Sequence, residues 1–389
     1  MINEKVFPQL GILYVATALR QQGYEDIYVH DGSIEDIPKG YDIYALGATT
    51  PQFPQSVKAL EHIKTFANGK IPKVIIGGPH ATIDPESCIA SGFDCVIRGE
   101  GETAIVEAIE TDKKLIEGST DLLIHPDRNL LDIKSYKYII DGELATSVMT
   151  TRSCFFHCGF CCKINKRVKV YPAGYVIQEI ETLIREYGYK ALMFFDDIFI
   201  INKERLLKIL DHIENYSLKW RCFARADIIL RHGEDIAKRM FDAGCREIGM
   251  GVESGSDSIL KVINKGETTE TIAKAIKMLH EVGIRVKGFF IVGLPSESWV
   301  TIGETIKFIE SVPLSDIDFT LFQPFKGSPI YDKKDTIFKD MIYWDENNLN
   351  ETWYKGKPNE YISNVWTPEL SKTDIVMIRN KLEEKYKKW

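Results

Sequence analysis

A chain of 389 residues, 44% of them apolar, is long enough for two domains or one large barrel. No stretch approaches the roughly 20 uninterrupted apolar residues a membrane-spanning helix needs, and the start MINEKVFPQLG lacks the basic-then-apolar layout of a signal peptide, so the expected compartment is the cytoplasm. A net charge of −7 argues against broad nucleic-acid binding, and in a reducing compartment the eight cysteines are read as thiols that bind metal or react, not as disulfides.

The first 110 residues alternate helix-like and strand-like runs. An amphipathic stretch at 9–22 is followed by a short apolar run at 26–29, a strand at 42–46 and a helix at 55–66. Strands at 73–76 and 94–97 and a helix at 102–110 complete the pattern, which predicts a parallel sheet with helices on both faces. Small and polar residues mark the loops after the strands: Thr49, Thr50 and Gln52; Gly77, Gly78 and His80; Gly99 and Glu100. Ligands of open α/β sheets bind at that edge.

Residues 111–143 carry no sustained period and are expected to form a connector. Strand-helix rhythm then resumes, with candidate strands at 145–150, 191–196, 219–224, 246–252, 285–292 and 317–323. A helix at 175–187 has Ile177, Ile180, Ile184 and Tyr187 at three- and four-residue steps. Six βα units over 144–330 predict a partial (β/α)6 barrel with its site at the strand C-termini. The remainder, 331–389, is rich in Trp and Tyr and ends in a helix from residue 368 onward. Its Trp344, Trp353, Tyr354 and Trp366 either wall a substrate cavity or pack the tail onto the barrel.

Four of the eight cysteines fall between Cys154 and Cys162, while Cys88, Cys95, Cys222 and Cys245 sit singly in apolar segments as core residues. Cys154, Cys158 and Cys161, spaced by four and three, follow the first candidate barrel strand. Soft thiolates select Fe-S clusters or zinc, so ligand type alone leaves both open. Structural zinc normally takes four ligands, whereas three cysteines without a partner pair leave one metal position vacant. His157 is the one residue that would complete a zinc site, from an awkward place inside the loop. The following Lys163, Lys166, Arg167 and Lys169 either draw an anionic group or form a solvated face.

Cys-x3-Cys-x2-Cys with Phe160 before the last cysteine resembles the signature of the radical S-adenosylmethionine (SAM) superfamily, and the resemblance extends in register over 144–331. It implies a [4Fe-4S] cluster on Cys154, Cys158 and Cys161 whose open iron chelates SAM. An electron from that cluster, supplied by an external flavodoxin- or ferredoxin-type reductant, cleaves SAM to methionine and a 5′-deoxyadenosyl radical. By the same resemblance Phe160 lies near the adenine, and Asp196 and Asp197 meet the SAM ammonium, the alternative for Asp197 being a helix cap. Arg225 meets the SAM carboxylate or pairs with Asp227, and Glu253, assisted by Ser254, takes the ribose. The segments holding Val292, Leu294 and Phe322 complete the SAM site. Cys162, an addition to the pattern, is expected not to bind iron.

The first domain, 1–110, resembles the cobalamin-binding domain found before many radical SAM barrels, through 8–14, 77–80 and 99–102. Two departures stand out: no Asp-x-His-x-x-Gly sequence offers a cobalt ligand, and the first apolar strand of the Rossmann-like sheet is missing. Tentative cobalamin contacts are the loop residues Thr49, Thr50, Gln52, Gly77, Gly78, His80, Gly99 and Glu100. The resemblance implies cobalamin-dependent methylation of an unactivated carbon in a small-molecule substrate. Cobalamin-independent or non-methylating radical chemistry, and a zinc-stabilised binding protein, are the alternatives.

Overall fold

The computed structural model describes residues 5–66, 71–119, 121–164, 167–346 and 360–388. The chain divides into two compact units, Met1–Lys137 and Tyr138–Trp389.

In the first unit four parallel strands, β1 (Ile43–Gly47), β2 (Lys73–Gly77), β3 (Cys95–Arg98) and β4 (Leu115–Glu117), lie side by side in chain order. Successive side chains of β2 point to opposite faces, so Val74 and Ile76 join one core with Leu60, Ile63 and Phe93, and Ile75 joins another with Ile97 and Ile105. Helices cover both: α1 (Leu10–Gln21), α2 (Phe53–Lys64), the short α3 (Pro79–Ile83) and α4 (Pro85–Ala90), and α5 (Gly101–Glu110). Two expectations need correction. Residues 26–29 form no strand and leave Tyr28 60% exposed; of Ile27, Tyr28 and Val29 only Val29 is buried, and the Ile27 N–H donates locally to the Glu25 carbonyl instead of to a neighbouring strand. The supposed connector contributes β4, whose three residues, with only Ile116 buried, are too few to show a period.

The second unit is built on a seven-stranded sheet. In spatial order it runs β13 (Asp316–Leu321), β12 (Arg285–Val292), β11 (Cys245–Glu253), β10 (Lys219–Ala224), β9 (Ala191–Phe194), β6 (Glu143–Val148) and β5 (Tyr138–Ile140). Six strands are parallel, and β5 pairs antiparallel with β6 through the two-residue turn Asp141-Gly142, both at positive φ. The parallel strands are the six read from the sequence and curl into an open half-barrel. Helices α6 (Ala173–Arg185), α7 (Lys203–Ile213), α8 (Ala226–Asp242), the short α9 (Asp257–Val262), α10 (Thr269–Val282) and α11 (Trp299–Ser311) lie between them. On the helix-covered face Trp220 is fully buried against Phe194 and Phe199 and donates from Nε1 to the Ala243 carbonyl at 2.8 Å.

On the other face of the sheet Phe223 and Phe289 flank Gly249, where a Cβ would lie within 2.8 Å of both rings. Nearer the strand N-termini this face is charged, with Arg221 3.1 Å from Glu247 and Lys287 2.7 Å from Asp316. After β13 come α12 (Pro329–Asp332), the two-residue strands β14 (Tyr343–Trp344) and β15 (Val365–Trp366), and α13 (Lys372–Tyr386). Trp344 stacks on Tyr331 and Trp366 on Tyr343, which is packing; Trp353 and Tyr354 lie outside the described residues.

Candidate functional site

The cysteine loop leaves and re-enters the barrel through an antiparallel pair of two-residue strands, β7 (Thr151–Arg152) and β8 (Lys169–Val170). Its middle is held by three hydrogen bonds: the Gly159 N–H donates to the Ile263 carbonyl (2.6 Å), the Ile330 N–H donates to the Gly159 carbonyl (2.9 Å), and the Asn264 side-chain Nδ2 donates to the His157 carbonyl (2.7 Å). A Cβ at Gly159 would sit 3.1 Å from that Ile263 oxygen, so the close approach favours glycine.

Cys158 is buried, Cys154 half-buried and Cys161 exposed. The Cys161 thiol donates to Cys158, which, with Lys265 and Arg225 nearby, holds Cys158 below the usual thiol range against the opposing effect of burial. Burial raises Cys154, and the nearby Cys158 charge adds to the rise. Among the described residues no three of His, Cys, Asp and Glu stand converged on a metal position; two thiols are in contact with the third in electrostatic reach. Three soft donors on one loop, one already favoured as thiolate, fit a cluster bound through three cysteines. Cys162 points elsewhere, 3.4 Å from the Lys326 carbonyl, and burial pushes its thiol up to about 12. Lys163 and Arg167 are exposed, and Lys166 lies outside the described residues.

Beside the loop lies a buried charge cluster that sequence reasoning found only in part. Lys265 Nζ is 3.0 Å from Glu253 and 3.6 Å from Glu267, and Arg225 is 3.4 Å from Glu267 and 3.1 Å from Asp227. The Arg225 guanidinium also donates to the Lys265 carbonyl at 2.8 Å, comes within 3.6 Å of Cys158 Sγ and lies 3.7 Å above the Phe156 ring. Burial opposes the charge on Lys265, but Glu253 and Glu267 outweigh it and raise its pKa. Glu253 ends β11 with φ +66, and a Cβ at Gly251 would lie 2.4 Å from its Oε1. Gly251 therefore makes room for the ion pair. Lys265 and Glu267 were missed because they follow α9 as an ordinary-looking polar turn, Asn264-Lys265-Gly266-Glu267; two opposite charges flanking a glycine were the available signal.

The other residues expected at the strand ends divide. Asp197 is exposed and accepts from the Ser153 N–H, while Phe160 is half-buried. Asp196, by contrast, is 1% exposed and engaged with Thr150 and Thr151. Ser254 is buried, bonded to Thr305 and to the Ser256 N–H. Val292, Leu294 and Phe322 are buried too, so backbone is what they can offer a ligand. Glu297 closes the turn after β12, accepting from the Gly293 N–H at 2.5 Å, and burial pushes its carboxyl up to about 8.

In the first unit the glycine turns meet at the C-terminal edge of the sheet. The His80 N–H donates to the Ala48 carbonyl, and Thr82 Oγ1 donates to the Gly78 carbonyl and accepts from the Gly99 N–H. Gly78 and Gly99 have φ of +91 and +89, and a Cβ on Gly99 would be 2.6 Å from the Gly118 oxygen. His80 is 2% exposed, stacks on Phe53 and has both ring nitrogens engaged, with Thr50 and Ser87. Gln52 Oε1 accepts from the Thr49 N–H and hydroxyl. Glu100 is buried, whereas Thr49 is exposed and Gly77, Gly78 and Gly99 are partly so.

A parallel-sheet unit with tight glycine turns, then an open half-barrel whose first parallel strand leads into a three-cysteine loop, defines a class of iron-sulfur radical enzymes. Residues 148–309 match the radical SAM superfamily, and residues 4–109 match the B12 binding domain. An uncharacterised methyltransferase of Pyrococcus horikoshii is 30% identical over 367 residues, covering 84% of this chain and 78% of that protein. The anaerobic magnesium-protoporphyrin IX monomethyl ester cyclase of Cereibacter sphaeroides is 25% identical, and there the alignment covers 84% of this chain but only 60% of the relative. Among solved structures, the radical SAM methyltransferase TsrM from Kitasatospora setae, with cobalamin and a [4Fe-4S] cluster bound, superposes with a TM-score of 0.65 at 15% identity, over 84% of this chain and 71% of that one. OxsB, a cobalamin-dependent SAM radical enzyme, gives 0.66 at 18% identity, over 86% and 54%; at such identities the likeness is one of fold. The chain belongs to the radical SAM superfamily, with a B12-binding domain ahead of the radical SAM domain.

Proposed function

We propose that the chain is a cobalamin-dependent radical SAM methyltransferase acting on an unactivated carbon of a small molecule. The observation that carries this reading is the cysteine loop, with Cys158 and Cys161 in contact beside Arg225 and Lys265, in a chain that also has a B12-binding domain. When bound, a reduced cluster on Cys154, Cys158 and Cys161 supplies the electron that cleaves SAM, and cobalamin supplies the methyl carrier. Around them, the residues of the chain bind and orient. Asp197 offers the SAM ammonium an acceptor, and the Glu253 carboxylate, fixed by Lys265 at 3.0 Å, faces the ribose. Gly249 leaves room for the Phe223 and Phe289 rings and Gly251 for the Glu253–Lys265 pair, so that these side chains line the nucleotide site. The turns at Gly77-Gly78 and Gly99, free of side chains, give a flat macrocycle a backbone surface with Thr49 at its rim. An external flavodoxin- or ferredoxin-type protein supplies the electron.

The methyltransferase names among the relatives support methyl transfer, and the cyclase relative supports a second reading, radical ring closure without methyl transfer. Anaerobic turnover with methyl-deuterated SAM, cell-extract metabolites and mass spectrometry separates the two. Methyl transfer predicts a product heavier by a labelled methyl group, together with S-adenosylhomocysteine and 5′-deoxyadenosine; cyclisation predicts deoxyadenosine and no label in the product. A corrin absorption spectrum that does not persist through gel filtration refutes the cobalamin part.

A further inference from the structure

The cysteine loop is tied at its base by two buried side chains, the acid Asp196 and the base Arg205, each bonded to the loop's ends. Thr150, 0% exposed, has its backbone N–H (2.5 Å) and hydroxyl (2.6 Å) donated to the two oxygens of Asp196, and the Thr151 N–H adds a third bond at 2.8 Å. The guanidinium of Arg205, from the first turn of α7, donates to the Thr150 carbonyl at 3.0 Å and to the Tyr171 carbonyl at 2.7 Å. Thr150 stands where the chain enters the loop and Tyr171 where it leaves, and the Tyr171 N–H donates back to the Thr150 carbonyl at 3.0 Å. Every polar group of Thr150 is therefore bonded, and a single planar guanidinium bridges entry and exit.

Buried ionisable side chains are weak evidence for stability, because well-packed apolar residues of similar size serve as well or better. What they add is direction. Three bonds onto consecutive residues and a fork across two carbonyls fix where the backbone enters and exits, and so fix the ends of the segment carrying Cys154, Cys158 and Cys161. Ends held in place lower the ordering cost of gathering three ligands around one centre.

We propose that Asp196 and Arg205 are positioning residues that preorganise the cysteine loop for cluster assembly, Asp196 acting from beneath the loop and not as a SAM ligand. The proposal rests on the reading of that loop as the cluster site. The test uses full-length protein, before and after anaerobic assembly with iron and sulfide. In cluster-free Asp196→Asn and Arg205→Met, amide exchange of peptides spanning 150–172 is expected to rise about tenfold while β11 and β12 keep wild-type protection. Iron retained after gel filtration is expected to fall to less than about half of wild type.

Wild-type exchange and iron retention in both variants overturn the proposal, and are the result a SAM-contacting Asp196 would give. Should Asp196→Asn lose its fold by circular dichroism, Thr150→Val, which deletes only the hydroxyl bond, decides: faster loop exchange supports the latch and unchanged exchange overturns it. If the wild-type protein binds no iron, the cluster reading fails, while exchange in the cluster-free proteins still judges the latch on its own.

Discussion

Replacing Lys265 by Met tests the buried charge cluster quantitatively. The Lys265 side chain is 5% exposed, and its Nζ lies between Glu253, 10% exposed, and Glu267, fully buried. Breaking a buried pair by removing one partner costs about 3 to 5 kcal/mol, because a charge is left uncompensated. Glu267 keeps Arg225 at 3.4 Å, so the orphan is Glu253, and the lower end, about 3 kcal/mol, is expected. For a unit of this size that corresponds to a fall in Tm of roughly 6 to 12 °C. Thermal unfolding of the cluster-free protein at pH 7, followed by circular dichroism, reads it. The double variant Lys265→Met/Glu253→Gln removes the orphan as well and is expected to recover at least about half of the loss. A single variant that melts with the wild type, or a double variant no more stable than the single, refutes the reasoning.

Other outcomes follow from the same structure. Glu297, lifted by burial from 4.5 to about 8, binds a proton in the folded state across that window and not in the unfolded chain; stability therefore falls as pH rises from about 5 to 8, and Glu297→Gln is expected to flatten the slope in urea titrations. Gly255→Ala places a Cβ 2.6 Å from Phe308 Cβ and from the Thr305 backbone, pushes α11 away from the Glu253 turn, and is expected to cost about 1 to 3 kcal/mol in the same titration. Cys158→Ala is expected to lose retained iron and reductive SAM cleavage with its circular dichroism unchanged. Cys162→Ala, whose thiol faces the 325–326 carbonyls, is expected to keep both.

Apart from β4, the parallel strands of both units were legible because each carries apolar residues in a short run or at alternate positions, and the cysteine spacing pointed to its chemistry without any structure. What escaped has local reasons. The hairpin that adds β5 to the barrel sheet hangs on Asp141-Gly142, a two-residue signal hidden in the supposed connector. The Lys265-Glu267 pair matters because of burial, which spacing does not report, and Asp196 looked like Asp197 until their positions separated them, one beneath the loop and one exposed. What the sequence does not report of His80 is that its buried ring ties the turn after β1 to α4 through Thr50 and Ser87.

The radical chemistry depends first on the three thiols of one loop, Cys154, Cys158 and Cys161. The direct measurement is metal and sulfide content of anaerobically assembled protein, taken with the 5′-deoxyadenosine formed when dithionite and SAM are added. About four irons and four sulfides per chain are expected, with deoxyadenosine that depends on Cys154, Cys158 and Cys161. Stoichiometric zinc without iron, and intact SAM after reduction, would contradict that chemistry.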